Sequence, residues 1–149
     1  MLKTAVIGVG YLGRFHAQKF ASLPESELIG VVDINPKQGQ KVSKELDVPF
    51  YSNFEEVINK VDAVSIAVPT VHHYKSAKAF LSNGVHVLLE KPFAETIEEA
   101  EELAQLSSDN NVSLQIGHLE RFNPVFAEFQ QFIDQPKFIE NIRIAPFPK

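Results

Sequence analysis

A chain of 149 residues is the size of one domain, and with 44% hydrophobic and 22% charged residues it can bury a core of its own. A net charge of −5 leaves no basic surplus to neutralise phosphates, so no nucleic-acid partner is expected. The lack of cysteine excludes disulfides and thiolate metal sites. The first strand begins almost at Met1, and no apolar run approaches the roughly 18 residues that cross a bilayer, so a cytoplasmic protein with no membrane partner is expected.

Residues 4–8 read as a buried strand. Residues 12–23 read as a helix whose inward face is Leu12, Phe15, Phe20 and Leu23. A second strand is expected over 28–32. Asn35-Pro36 then supplies an N-cap followed by proline at the first helical position, opening a helix to residue 46. A short helix is expected over 54–59, a third strand over 63–68, and a helix over 73–82 that stops at Asn83-Gly84. A fourth strand occupies 85–89. Thr96 and Glu99 have capping-box spacing for a helix to residue 108. A fifth strand is expected over 112–116, and Asn123-Pro124 opens a helix to 133. This alternation, with nearly continuous apolar strands, predicts an α/β fold: a Rossmann-type doubly wound parallel sheet. Residues 137–144 alternate like an edge strand. They suggest a dinucleotide-binding domain over 1–135, with 136–149 starting a second α/β domain; the alternative is a last strand of the same sheet.

Gly8, Gly10 and Gly13 form a G-x-G-x-x-G that follows a strand and opens a helix, and Asp33 comes 20 residues after Gly13 at the end of the next strand. Each part has a reason. Gly8 permits the tight turn, Gly10 admits a diphosphate without a Cβ in the way, and Gly13 lets helix and strand pack closely. The amides around Tyr11 and Leu12, at the positive end of the helix dipole, face the phosphates. Asp33 can accept from both ribose hydroxyls and would repel a 2′-phosphate, so NAD is expected over NADP, although Lys37 could assist NADP. Glycines that serve only turns, or a site for another nucleotide such as S-adenosylmethionine, are the alternatives.

Ligands of open α/β sheets bind beyond the carboxyl ends of the strands. There stand Val68, Pro69 and Thr70, which would wall the ribose or nicotinamide, and His73 at the head of a helix. There too are Glu90, Lys91 and Pro92, and beyond the fifth strand His118 and Arg121. Lys91 could exchange a substrate hydroxyl proton as hydride leaves the carbon. His118 could bind substrate, and Arg121 could hold its loop or approach the cofactor; the alternatives are simple exit into solvent and loop bonding. His16 and His86 lack such a placement and read as structural. His72 and His73 are not spaced as a helical metal pair, so no metal is expected.

With these residues named, the chain resembles the Gfo/Idh/MocA family over residues 1 to about 135. The carrying segments are residues 5–10, Val32-Asp33, residues 67–70, His73, Glu90-Lys91-Pro92 and residues 121–124. The resemblance implies an NAD(P)-dependent dehydrogenase of sugars, inositols or nucleotide-sugars. In it Lys91 is catalytic, the Lys91–Pro92 bond is strained or cis, and NAD(P) is held at Gly8, Gly10, Gly13 and Asp33. It also implies a second domain carrying an Asp/His pair and a homo-oligomer interface. That pair has no match in this sequence, and Thr70 stands where the family often has Asn. Residues 117–124 and the tail resemble bacterial nucleotide-sugar 3-dehydrogenases. The competing readings are an NAD-binding module without catalysis and a reductase of non-sugar substrates of the biliverdin or dihydrodiol type.

Overall fold

A computed structural model describes the chain except residues 131, 136, 139, 141, 143 and 145–149. The chain divides into two compact units, Met1–Gly117 and His118–Lys149.

The first unit holds six strands: β1 (Leu2–Ile7), β2 (Ser26–Val32), β3 (Phe50–Tyr51), β4 (Ala63–Ile66), β5 (His86–Leu89) and β6 (Leu114–Ile116). They form one sheet in the order β3-β2-β1-β4-β5-β6, and every pairing is parallel. Four helices connect them: α1 (Tyr11–Ser22), α2 (Pro36–Leu46), α3 (His73–Leu81) and α4 (Ile97–Asp109). The core shows the double winding directly. Successive strand side chains point to opposite faces. Val6 packs with Ala17 of α1 and Val42 of α2. Its neighbours Ala5 and Ile7 pack with Ala77 and Phe80 of α3 and Leu103 of α4. Covered on both sides, the second half of β1 has no polar face, which is why Ala5, Val6 and Ile7 run apolar without alternation.

The expected helix and strand order holds, with four local differences. The two-residue β3 was not expected, since a strand so short carries no periodicity to read. The short helix at 54–59 is two 3-10 turns, Phe54–Glu56 and Ile58–Lys60, the first closed by a capping box between Asn53 and Glu56. Thr96 Oγ1 accepts from the Glu99 amide at 3.2 Å, but the Glu99 carboxylate accepts from the Glu95 amide rather than from Thr96, so only half of that box forms.

The largest correction concerns α1. Leu12, Phe15 and Leu23 are about half exposed, and only Phe20 of the expected face packs partly against the core. The buried residues are Gly13 and Ala17. The helix approaches the sheet closely, and large side chains cannot fit beneath it.

In the second unit, a 3-10 turn over Leu119–Phe122 precedes α5 (Pro124–Gln130). Asn123 Oδ1 accepts from the Val125 amide at 3.0 Å, as its position before Pro124 suggests. The edge strand expected over 137–144 and the tail after it lie largely outside the described residues. Among the described residues no helix is long and apolar enough to cross a membrane.

Candidate functional site

Strand register aligns the chemistry. Ile7 of β1 pairs with Val32 and with Ile66, Ile66 pairs with Leu89, and Leu89 pairs with Ile116. The residues that follow, Gly8, Asp33, Ala67, Glu90 and Gly117, therefore emerge along one edge. All five of their amides still reach the neighbouring strand: Gly8 to Val32 O, Asp33 to Tyr51 O, Ala67 to Ile7 O, Glu90 to Ile66 O and Gly117 to Leu89 O, at 2.8–3.2 Å. The edge is thus rigid up to the last residue of each strand. The sheet order reverses between β1 and β4, where a crevice opens in such folds.

A cavity of about 550 Å³ lies there, bounded by Gly8 and Gly10, Asp33, and Val68 and Pro69. His72 and Lys75 also line it. Sequence reading did not assign either a place in the site, because they acquire one only when the turn at Thr70–His72 carries α3 over the cavity. Thr70 opens that turn and does not line the cavity. A second recess of about 480 Å³ shares Gly10 and Asp33 and adds Tyr11 and Gln38.

The glycine turn is held by side chains from the next strand–helix junction. Asp33 Oδ2 accepts from the Val9 amide at 2.9 Å, and Oδ1 accepts from the Asn35 amide at 2.8 Å. Gln38 Nε2 donates to the Val9 carbonyl at 2.6 Å. Both polar groups of the Val9 peptide unit are thereby engaged, while the Val9 side chain is fully buried. Each Asp33 oxygen keeps lone-pair capacity for a further donor. Asp33→Ala removes that acceptor pair and slackens the turn; NADH affinity is expected to fall about 10- to 100-fold, for one or two charge-assisted bonds, by isothermal titration calorimetry.

The start of α1 faces the cavity bare. Its N-cap, Gly10, offers no side chain to the first-turn amides, and no acidic residue occupies that turn. These are the conditions under which a helix end receives an anion. Tyr11 is 82% exposed and stacks edge-on against Phe15, with ring centroids 5.4 Å apart. Arg14 is committed elsewhere. Its guanidinium grips Glu45 through Nε at 2.9 Å and a second nitrogen at 2.9 Å. Bonding to Glu45 raises the Arg14 pKa, and the Arg14 guanidinium followed by the Gln18 amide holds the Glu45 carboxyl below the usual carboxylate range.

Farther along the edge, His73 is buried, with Nδ1 2.8 Å from the Pro92 carbonyl and Nε2 2.9 Å from the Val68 carbonyl. Its ring staples the loop after β4 to the loop after β5. Lys91 is exposed and its bond to Pro92 is cis. Glu90 is buried beside it. Its Oε1 lies 3.2 Å from His16 Nε2, and its Oε2 accepts from the Lys91 amide at 3.2 Å. His16, read from the sequence as structural, reaches the Glu90-Lys91 junction; no spacing in the sequence links residue 16 to residue 90. His118 and Arg121 belong to the second unit, where His118 precedes the 3-10 turn and its carbonyl accepts from the Arg121 amide at 3.0 Å.

Comparison with known proteins agrees with this geometry. The profile of the Gfo/Idh/MocA group, described as an oxidoreductase family with an NAD-binding Rossmann fold, matches residues 2–118. UDP-N-acetylglucosamine 3-dehydrogenase from Acidithiobacillus ferrooxidans is 40% identical over 98% of the chain and 46% of its own length. A solved structure of that dehydrogenase superposes with a TM-score of 0.83, over 88% of this chain and 43% of the other. Scyllo-inositol dehydrogenase from Lactobacillus casei, solved with NAD(H) and scyllo-inositol, is 28% identical with a TM-score of 0.84, over 91% and 41%. The chain spans less than half the length of the curated relatives it matches.

Proposed function

Because the chain belongs to the Gfo/Idh/MocA oxidoreductase family, with its NAD-binding Rossmann fold, we propose that it is the cofactor-binding part of a dehydrogenase acting on a sugar, inositol or nucleotide-sugar hydroxyl. UDP-N-acetylglucosamine is the first substrate to test, because the relative matching 98% of the chain acts there. The reading takes residues 1–135 as the dinucleotide domain and 136–149 as the opening of a second.

Gly10 carries the argument. Its φ of −62° is one that any residue adopts, and a Cβ built on it meets nothing within 4 Å. Neither a positive φ nor a neighbour of its Cβ calls for glycine there. What remains is the approach of a ligand that would collide with a side chain. The donor set fits a dinucleotide: first-turn amides for the diphosphate, Asp33 for the adenosine ribose, Val68 and Pro69 as an apolar wall.

When bound, NAD supplies the acceptor for a hydride leaving the substrate's hydroxyl carbon. In this reading Lys91 takes the hydroxyl proton as the C–H bond breaks and the C=O bond forms, and returns it in the reverse direction. His118 contacts the substrate, Arg121 steadies its loop, and His73 holds the loops that carry Val68 and Pro92.

Titrating NADH into the chain and following nicotinamide fluorescence tests the reading. Wild type should bind. Gly10→Val should melt within about 4 °C of wild type, since the Cβ it adds meets no protein atom within 4 Å, yet lose at least about tenfold in affinity. Equal affinity in the two proteins would remove the reason for reading the crevice as a dinucleotide site.

A further inference from the structure

Beneath the junction of β5 with Lys91 lies a polar trio in an otherwise apolar interior. Ser65 on β4 is fully buried, and its Oγ lies 2.6 Å from His16 Nδ1. His16 on α1 turns Nε2 toward Glu90, whose carboxylate is 6% exposed. A carboxylate only accepts. The ring therefore turns a protonated Nε2 toward it, and the Ser65 hydroxyl, able to donate or accept, pairs with Nδ1. The fourth wall is an absence: a Cβ at Gly117 would stand 2.9 Å from Glu90 Oε1. The end of β6 is left bare for this carboxylate.

Replacing such a buried polar group with apolar side chains of the same volume is often neutral or stabilising. Stability alone is thus a weak reason for it. Its direction is informative. Ser65 and His16 fix Oε1, and the opposite oxygen, Oε2, meets the amide of Lys91.

We propose that His16 is a positioning residue, which through Glu90 orients the Lys91 peptide and ties it to the helix that receives the diphosphate. This rests on the reading of Lys91 and the dinucleotide crevice given above. A helix that shifts when the diphosphate docks would carry His16, and with it Glu90, so cofactor binding and lysine placement become one event. In the 3-2-1-4-5-6 sheet each half takes one mononucleotide. The Lys91 junction lies on the nicotinamide side, away from the adenosine contacts at Gly10 and Asp33.

The test uses the 15N-labelled chain with two readouts: exchange of the Lys91 amide proton, and calorimetric affinities for NADH and for ADP-ribose, which lacks the nicotinamide. In His16→Leu the Lys91 amide should exchange about tenfold faster, the loss of one hydrogen bond. NADH should weaken by about tenfold while ADP-ribose stays within about twofold. His16→Gln, which can still donate toward Glu90, should restore both. A histidine that merely fills space would leave the amide untouched, or weaken both ligands alike; either result overturns the proposal. Should His16→Leu not fold, Ser65→Ala loosens the ring from its other side and should speed Lys91 exchange about threefold; no change there also overturns it. If wild type binds neither ligand, the cofactor reading fails, and the exchange measurement still decides the role of His16.

Discussion

Gly13→Ala is expected to destabilise the fold and abolish cofactor binding together. A Cβ at residue 13 would lie 1.8 Å from the Gly8 carbonyl oxygen and 2.8 Å from its carbonyl carbon, both backbone atoms. The Gly8 side cannot retreat. Gly8 holds φ at +80°, its amide is bonded to Val32 O at 2.8 Å, and the following Val9 amide is held by Asp33. The remaining relief is to lift α1 from the sheet, which uncovers Ala17 and the apolar residues packed around it. Overpacking a tight contact costs about 1–3 kcal/mol, and a clash with fixed backbone belongs at or above the top of that range. For about 3 kcal/mol in a chain this size, the melting temperature should drop about 10 °C. Calorimetry should find no NADH binding, because the lifted helix no longer aims its amides at the crevice. A melting temperature within about 2 °C of wild type, with intact binding, would contradict the close-packing account of α1.

Lys91→Ala is expected to lower kcat by about 10²- to 10⁴-fold, the range for loss of a positioned acid–base group. On the reading proposed above the measurement uses the whole dehydrogenase, with NAD and UDP-N-acetylglucosamine, and with scyllo-inositol as the second substrate. NADH affinity should stay within a few-fold of wild type, because the diphosphate and ribose contacts at Gly10 and Asp33 lie elsewhere along the sheet edge, and the residue 91 peptide that Glu90 holds is kept in the variant. Lys91→Arg should not rescue, since a guanidinium does not give up its proton near neutral pH. Near-normal kcat in Lys91→Ala would sink the assignment of proton transfer. It would leave the dinucleotide site standing, because Gly10→Val tests that independently.

The contrast between Gly10 and Gly13 separates two reasons for one sequence pattern. At Gly13 the missing side chain is demanded by the protein's own backbone. At Gly10 nothing in the protein demands it. The motif assigns them these separate roles, and the distances to neighbouring atoms agree: a Cβ at Gly13 meets the Gly8 backbone, and one at Gly10 meets nothing within 4 Å.

Local chemistry made much of the fold legible. Asn35 before Pro36 reads as a helix start, and its side chain accepts from the Lys37 and Gln38 amides. Gly84, with φ of +74°, reads as a helix stop. The apolar run Ala5-Val6-Ile7 in β1 reads as a strand covered on both faces, and two core clusters lie on either side of it. The glycine spacing and the acidic residue at the next strand end rest on short-range geometry as well, and Asp33 meets the glycine turn through Val9.

What failed or stayed silent depends on contacts between residues far apart in the chain. The inward face of α1 was misread because helical periodicity ranks Leu12 and Phe15 above Gly13 and Ala17. Periodicity measures greasiness, and the distance between helix and sheet is set by the turn at Gly8. The link from His16 through Glu90 to Lys91 spans 74 positions between its first two members and has no sequence period. It exists because α1 lies against β1, β2 and β4, so that His16 reaches Ser65 and, beyond it, Glu90. The sequence by itself determined the order of strands and helices, the caps, the glycine turn and the identity of the residues at the strand ends, since each follows from neighbours within a few positions. Which of those residues share a crevice, and which buried partner holds each one, was decided only by the parallel register of the sheet and the close seating of α1 on it, because packing distance is a property of surfaces in contact and is carried by no single segment.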